Sequence, residues 1–265
     1  MPRLSVDIDL NYIGAIEREK MLADRFKIEK AVQAVFSREG FTVKKIPAEH
    51  AGGKWRMNYR SVIGPSGNLE VDLNFMFRQP LWEVRTFDSK FLGEFRAANI
   101  PILDIHELAA GKLAALFARH QARDLFDVHQ LLFFTKLNRN RLRTAFFVYG
   151  ALNRKDWRKI SLEDIEFDPK ELQRSLIPVL HGNIINGGED MSMFAQRLMN
   201  ECREKLSTVF PPSEKEMAFL DRILTMGEIE PTLLTADKEV QTRIMRHPML
   251  LWKAINVRKH FGLDG

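Results

Sequence analysis

The chain has a single cysteine, Cys202, among 265 residues. One thiol excludes an intramolecular disulfide framework and any cysteine-rich zinc site, and it suits a reducing cytoplasm. Long apolar runs are also missing. None approaches the ~18–20 residues that span a bilayer, so no membrane partner is expected. The N-terminus carries Arg3, Asp7 and Asp9 and does not read as a secretory signal. Repeats and low-complexity tracts are absent. The seven histidines show no zinc spacing and no HExxH occurs. No serine lies in G-x-S-x-G, which leaves nucleophilic hydrolysis without support. What remains is 45% aliphatic and aromatic, enough for a sizeable core, with a net charge of +5. That charge is a mild invitation to polyanions.

The first hundred residues read as mixed α/β structure. "LSVDIDLN" alternates: Leu4, Val6, Ile8 and Leu10 share one face, and Ser5, Asp7, Asp9 and Asn11 the other. A helical pattern follows over 15–38, with Leu22, Phe26, Ile28, Val32 and Val35 near helical spacing. "GFTVKKIP", "KWRMNYRSVI" and "NLEVDLNFMF" read as three further strands, the last two joined by the turn signal "GPSG". After Pro101 the pattern turns helical. Asp104 is placed to cap "IHELAAGKLAALFARH", with Glu107 at capping-box spacing. "RDLFDVHQLLFF" is a second helix, and 138–150, 190–207, 213–226, 236–246 and 247–260 are helix-like. Residues 160–190, with Pro169, Pro178 and "GNIINGG", read as a loop-rich bridge. The expected fold class is α+β: a mixed-sheet core over 1–98 and a mainly helical part over 99–265.

Two carboxylates at i and i+2 on a strand point the same way and can hold divalent cations. A lone D-x-D is more often an ordinary solvated strand face. Here Asp7 and Asp9 are matched by Asp72 in "EVDLN", on a second strand with an equally apolar reverse face. If the two strands are neighbours, three carboxylates converge into the cage that two-metal phosphoryl or nucleotidyl transfer requires. All-oxygen ligands suit Mg²⁺ or Mn²⁺ and not zinc. A second constellation lies in "GKLAALFARHQARDLFDVHQLL": Lys112 and Arg119 share a helical face, and Arg123, Asp124 and Asp127 open the next helix. A lysine is a suitable point charge for a triphosphate. Taken alone, an interhelix ion pair such as Lys112 with Asp127 is the favoured reading of that group.

In this order, "RLSVDIDL", "GNLEVDLNF" and "IHELAAGKLAALFARHQARDLFDVHQLL" resemble the AbiEii/AbiGii-toxin-like nucleotidyltransferases of bacterial toxin–antitoxin and phage-defence systems. These have a polymerase-beta-like core. The likeness is strongest over 3–135. It implies that Asp7 and Asp9 are a metal-binding pair and that Asp72 is a third carboxylate serving as base or metal ligand. It implies that Lys112 meets the phosphates of a nucleoside triphosphate, and that Asp127, with Asp124, completes the site. Ser5, beside the carboxylates, joins Lys112 and Asp124 as a nucleotide-binding candidate. A cognate antitoxin is an implied partner. The family opens with a Gly-Gly or Gly-Ser pair about ten residues before the D-x-D, where helix amides can cradle a triphosphate. No such pair precedes Asp7, and Gly52 and Gly53 come after it. The core is therefore expected to be N-terminally truncated relative to the family, with an uncovered apolar sheet face that favours a homodimer.

The stretch "KLNRNRLRTAFFVYGALNRKDWRK" holds Lys136, Arg139, Arg141, Arg143, Arg154, Lys155, Arg158 and Lys159 against one acid, Asp156. Phe146, Phe147, Tyr149 and Trp157 are interleaved, a composition that suits a phosphate backbone and equally a solvated basic surface over core aromatics. Arg243, Arg246, Lys253, Arg258 and Lys259 add to it. The expected activity is metal-dependent nucleotidyl transfer to an RNA, with tRNA favoured. A protein hydroxyl and a small molecule such as an aminoglycoside are the other acceptors. The competing reading is a catalytically impaired remnant that binds nucleic acid or an antitoxin.

Overall fold

The computed structural model describes residues 3–5, 7–45, 52–62, 64–166, 169–180 and 190–263. Val6, Ile63 and the "GNIINGG" stretch of the expected loop lie outside them. The fold is α+β. Contacts divide the chain into two units, residues 5–79 with 246–249, and residues 1–4 with 80–245 and 250–265. The division falls at 79/80, whereas the sequence pattern places its boundary at 98/99.

The first unit is a four-stranded sheet in the order β1-β4-β3-β2, formed by β1 (Asp7–Asn11), β2 (Thr42–Lys45), β3 (Gly52–Tyr59) and β4 (Gly67–Asn74). β1 runs parallel to β4, and β3 runs antiparallel to both β4 and β2. The long helix α1 (Arg18–Arg38) provides the parallel connection's crossover and covers the sheet's apolar face. Met21 and Ile28 pack with Tyr12, Leu73 and Phe75, and Val32 and Phe36 pack with Trp55, Met57 and Val71. The seam is thus Met21, Ile28, Val32 and Phe36. Leu22, Phe26 and Val35, expected on it, are exposed. On edge strand β1 the covering is incomplete: Ile8 is 40% and Leu10 44% exposed. The Tyr12 hydroxyl donates to Asp24 of α1 at 2.8 Å, fastening the end of β1 to the helix. Buried Arg78 donates to the carbonyls of Ile16 and Phe75.

The second unit contains a small hairpin, β5 (Arg85–Phe87) with β6 (Ile100–Ile102), which the sequence pattern does not reveal. Helices α2 (Ile105–Arg119), α3 (Ala122–Phe134), α4 (Arg139–Ala151), the short α5 (Pro169–Glu171), α6 (Met191–Leu206), α7 (Glu214–Asp221), α8 (Lys238–Met245) and α9 (Pro248–Phe261) follow. The bridge expected to be loop contains instead a series of helical turns over Leu172–Leu176 and Ile177–Val179. One apolar core joins α2, α3, α4, α6 and α7, with Phe117 in ring contact with Phe146, Trp157 and Phe210. Cys202 is buried in it. Burial, and the charge of Glu201, push its thiol up to about 12, which makes it an inert core residue. No described helix is long and apolar enough to cross a membrane.

Candidate active site

The polar face of the sheet follows from strand alternation and register. In the parallel pair Asp7 faces Glu70, Asp9 faces Asp72 and Asn11 faces Asn74. Registered residues project to the same side of a sheet, so these six side chains share one face. Their apolar neighbours Ile8, Leu10, Val71 and Leu73 take the other. In the antiparallel pair Lys54 faces Asp72 and Arg56 faces Glu70. The face therefore grades from carboxylates on β1 to cations on β3. Arg56 donates twice to Glu70, at 2.6 and 2.9 Å, and Lys54 lies 3.6 Å from Glu70 and 4.0 Å from Asp72. The Arg56 hydrogen bonds, with the charges of Arg56 and Lys54, hold the Glu70 carboxyl below its ordinary range. Ser5 donates through its hydroxyl to the Asp7 carbonyl at 3.0 Å. Among the described residues no three His, Cys, Asp or Glu side chains come close enough to hold a metal ion by themselves.

The second group is built on α2 and α3. Asp104 caps α2 by accepting from the His106 amide at 2.9 Å. His120, in the left-handed region at φ 52°, ends α2 and lets α3 begin two residues later. This tight corner sets two cations of α2 against two carboxylates of α3. Arg119 grips Asp124 with two bonds, at 2.6 and 2.8 Å. Lys112 Nζ lies 3.0 Å from Asp127 Oδ2. A third participant is Arg3, whose Nε donates to Asp127 Oδ1 at 2.6 Å and whose Nη2 donates to Oδ2 at 2.5 Å. Burial would push the Asp127 carboxyl up. The Arg3 hydrogen bonds and the Lys112 charge overcome this and hold it below the usual carboxylate range.

The structure thus brings Asp7, Asp9 and Asp72 to one sheet face in the first unit. It groups Lys112 with Asp127, and Arg119 with Asp124, in the second. Three neighbours of these groups are not singled out by sequence reasoning. Lys54 and Arg56 are visible in the alternation of "KWRMNYR". Arg3 opens the segment "RLSVDIDL", but nothing in the sequence ties it to Asp127. Two expectations need correction. Glu107 does not close a capping box: it turns inward and accepts from the Trp82 amide and the Tyr149 hydroxyl, because those distant partners offer a buried carboxyl more than the helix end does. The aromatic residues of the basic stretch are not a nucleic-acid platform either. Phe146, Phe147 and Trp157 are fully buried. Most of the cations there hold the fold together. Arg143 bonds Glu216 and the carbonyls of Thr208, Val209 and Pro211. Lys155 bonds Asp164, Arg158 bonds Asp156 and Asp221, and Lys253 reaches the Asn153 carbonyl. Lys136, Arg154 and Lys159 remain exposed. The histidines are structural where bonded, as His129 is to Glu201 at 2.5 Å.

Comparison with known proteins supplies the family. No curated protein matches the chain. Among solved structures it is similar to MenT4, a nucleotidyltransferase toxin from Mycobacterium tuberculosis H37Rv. The TM-score is 0.58 at 15% identity, covering 94% of this chain and 78% of that one. At that identity the likeness speaks for the fold, an α+β nucleotidyltransferase toxin fold. The sequence model of the nucleotidyl transferase AbiEii toxins of type IV toxin–antitoxin systems matches residues 1–201, which is most of the chain. With a carboxylate-bearing sheet face, a toxin nucleotidyltransferase fold and a family match of that length, this chain belongs to the AbiEii family of nucleotidyltransferase toxins.

Proposed function

We propose that this nucleotidyltransferase transfers a nucleotidyl group from a nucleoside triphosphate to an RNA acceptor, tRNA first among the candidates, with Mg²⁺ or Mn²⁺. The observation that supports this most is the parallel register that pairs Asp9 with Asp72 and puts Asp7 on the same face. The donor set fits a hard cation, since every group is a carboxylate oxygen. Mg²⁺ is usually held by one or two carboxylates, which the paired Asp7 and Asp9 could supply from the protein side, and completes its shell with water and substrate phosphates.

When bound, the cation would lower the cost of charge building on the phosphates. In this reading the chain's own residues do the rest. Asp7 and Asp9 hold the cation from β1. Asp72, beside Asp9, takes the proton of the acceptor hydroxyl. The hydroxyl oxygen bonds to the α-phosphorus, the bond from that phosphorus to the bridging oxygen breaks, and pyrophosphate leaves with the electron pair. Lys112, paired with Asp127 at the α2–α3 corner of the second unit, is the lysine that the family reading assigns to triphosphate binding. A cognate antitoxin is the partner that family membership suggests.

The RNA acceptor rests on the net charge of +5 and on exposed Lys136, Arg154 and Lys159. The test is incubation of the protein with each labelled ribonucleoside triphosphate, Mg²⁺ or Mn²⁺, and total RNA, beside a purified tRNA pool. Label transferred to RNA, lost with chelator and in Asp9→Ala, supports the reading. Label on protein or on an aminoglycoside, with none on RNA, overturns the acceptor assignment.

A further inference from the structure

Two cations converge on one buried carboxylate in the α2–α3 corner, and they are held differently. Asp127 is 1% exposed. Arg3 is 11% exposed and takes both carboxylate oxygens in a fork. Its backbone is pinned as well, since Arg3 bridges Leu180 and the Leu4 amide donates to the Val179 carbonyl at 2.8 Å. Lys112 is 34% exposed and touches Asp127 through one contact at 3.0 Å, on a flexible four-carbon stem.

Were Lys112 the only partner of Asp127, each turn of its ammonium toward a phosphate would strand a buried carboxylate. Breaking such a pair is strongly unfavourable. With the Arg3 fork in place the carboxylate stays compensated when the Lys112 ammonium turns away. We propose that Arg3 is a positioning residue for nucleotide binding: its bidentate pair with Asp127 neutralises that carboxylate and frees the Lys112 ammonium for the triphosphate. This rests on the reading of Lys112 as the phosphate-binding lysine. It adds a residue whose contribution comes through Asp127 and not through contact with substrate.

The experiment measures the affinity of the full chain for ATP, GTP, CTP and UTP, each with Mg²⁺, by calorimetry. Variants are Arg3→Gln, Arg3→Lys, Lys112→Met and the double variant Arg3→Gln/Asp127→Asn. For whichever nucleotide binds the wild type, Arg3→Gln weakens binding by about tenfold, the scale of one charged contact. Arg3→Lys, which keeps the charge without the fork, falls between. The double variant binds more tightly than Arg3→Gln, because an uncharged amide in place of the Asp127 carboxylate no longer competes for Lys112. A merely structural Arg3 would lower the midpoint of thermal unfolding and leave the affinity of the folded protein unchanged. If Lys112→Met loses affinity while Arg3→Gln does not, or if the double variant stays as weak as Arg3→Gln, the role of Arg3 is refuted and that of Lys112 stands. If Lys112→Met binds as well as wild type, the phosphate assignment of Lys112 fails and this inference with it. Should Arg3→Gln not fold, as judged by helical circular dichroism, the inference is decided by Arg3→Lys and the double variant: affinity below wild type but above Lys112→Met in both supports it, and any other pattern refutes it.

Discussion

Replacing Glu107 by glutamine should make the protein more stable at alkaline pH and change little in acid. Glu107 sits in the first turn of α2 and is 2% exposed. Its carboxylate accepts from the Trp82 amide at 3.3 Å and the Tyr149 hydroxyl at 3.2 Å, and no cation among the described residues is paired to it. Burial pushes its pKa up from 4.5 to about 7, with hydrogen bonds from Leu81, Trp82 and Tyr149 only partly opposing the rise. Between those two values the folded protein holds a proton that the unfolded chain has released, so stability falls as pH rises. The contribution is fully present below about 4.5 and lost as pH passes about 7. A pKa difference of one corresponds to about 1.4 kcal/mol, so the loss between pH 5 and pH 8 is about 2 to 3 kcal/mol. Glutamine is neutral throughout, its Oε1 can accept the same amide, and its Nε2 can donate to the Tyr149 oxygen. Urea unfolding of wild type and Glu107→Gln at both pH values provides the test, because their difference cancels every other titrating group. The variant's advantage should grow by that amount from acid to alkali. A pH-independent difference, or one that grows in the opposite direction, would refute the argument from burial.

The other predictions concern the site, the core and the acceptor surface. Asp9→Ala should abolish nucleotide transfer while leaving the circular dichroism and thermal midpoint near wild type, since an exposed carboxylate on the polar face removes no core contact; retained transfer would exclude Asp9 from the site. Gly150→Ala should lower stability by about 1 to 3 kcal/mol in a thermal melt, because the new Cβ would overlap the ring of fully buried Trp157. Charge reversal at exposed Arg154 and Lys159 should weaken RNA binding and flatten its salt dependence. Lys155→Ala should instead cost stability, through its lost 3.0 Å bond to Asp164, with the salt slope unchanged.

Alternation alone determined which residues of "DIDLN" and "LEVDLN" are polar and share a face, because a strand has a period of two whatever it pairs with. For the same reason it did not determine the partner. That β1 lies parallel against β4, with Asp9 opposite Asp72, depends on α1 carrying the chain across the sheet and burying Met21, Ile28, Val32 and Phe36. The Asp104 cap was legible, since it involves only neighbours along the chain. The fate of Glu107 was not, because its partners Trp82 and Tyr149 lie 25 and 42 residues away. The density of cations between Lys136 and Lys159 was plain in the sequence. Their use was not, because the carboxylates and carbonyls that bind Arg143 and Arg158 arrive with α7 and the segment before it. Arg3 is the sharpest case. It stands four residues before Asp7 in the chain, yet it acts on Asp127 of α3, 124 residues away. A side chain's charge is local information, but its partner is chosen by which backbones the folded core holds together.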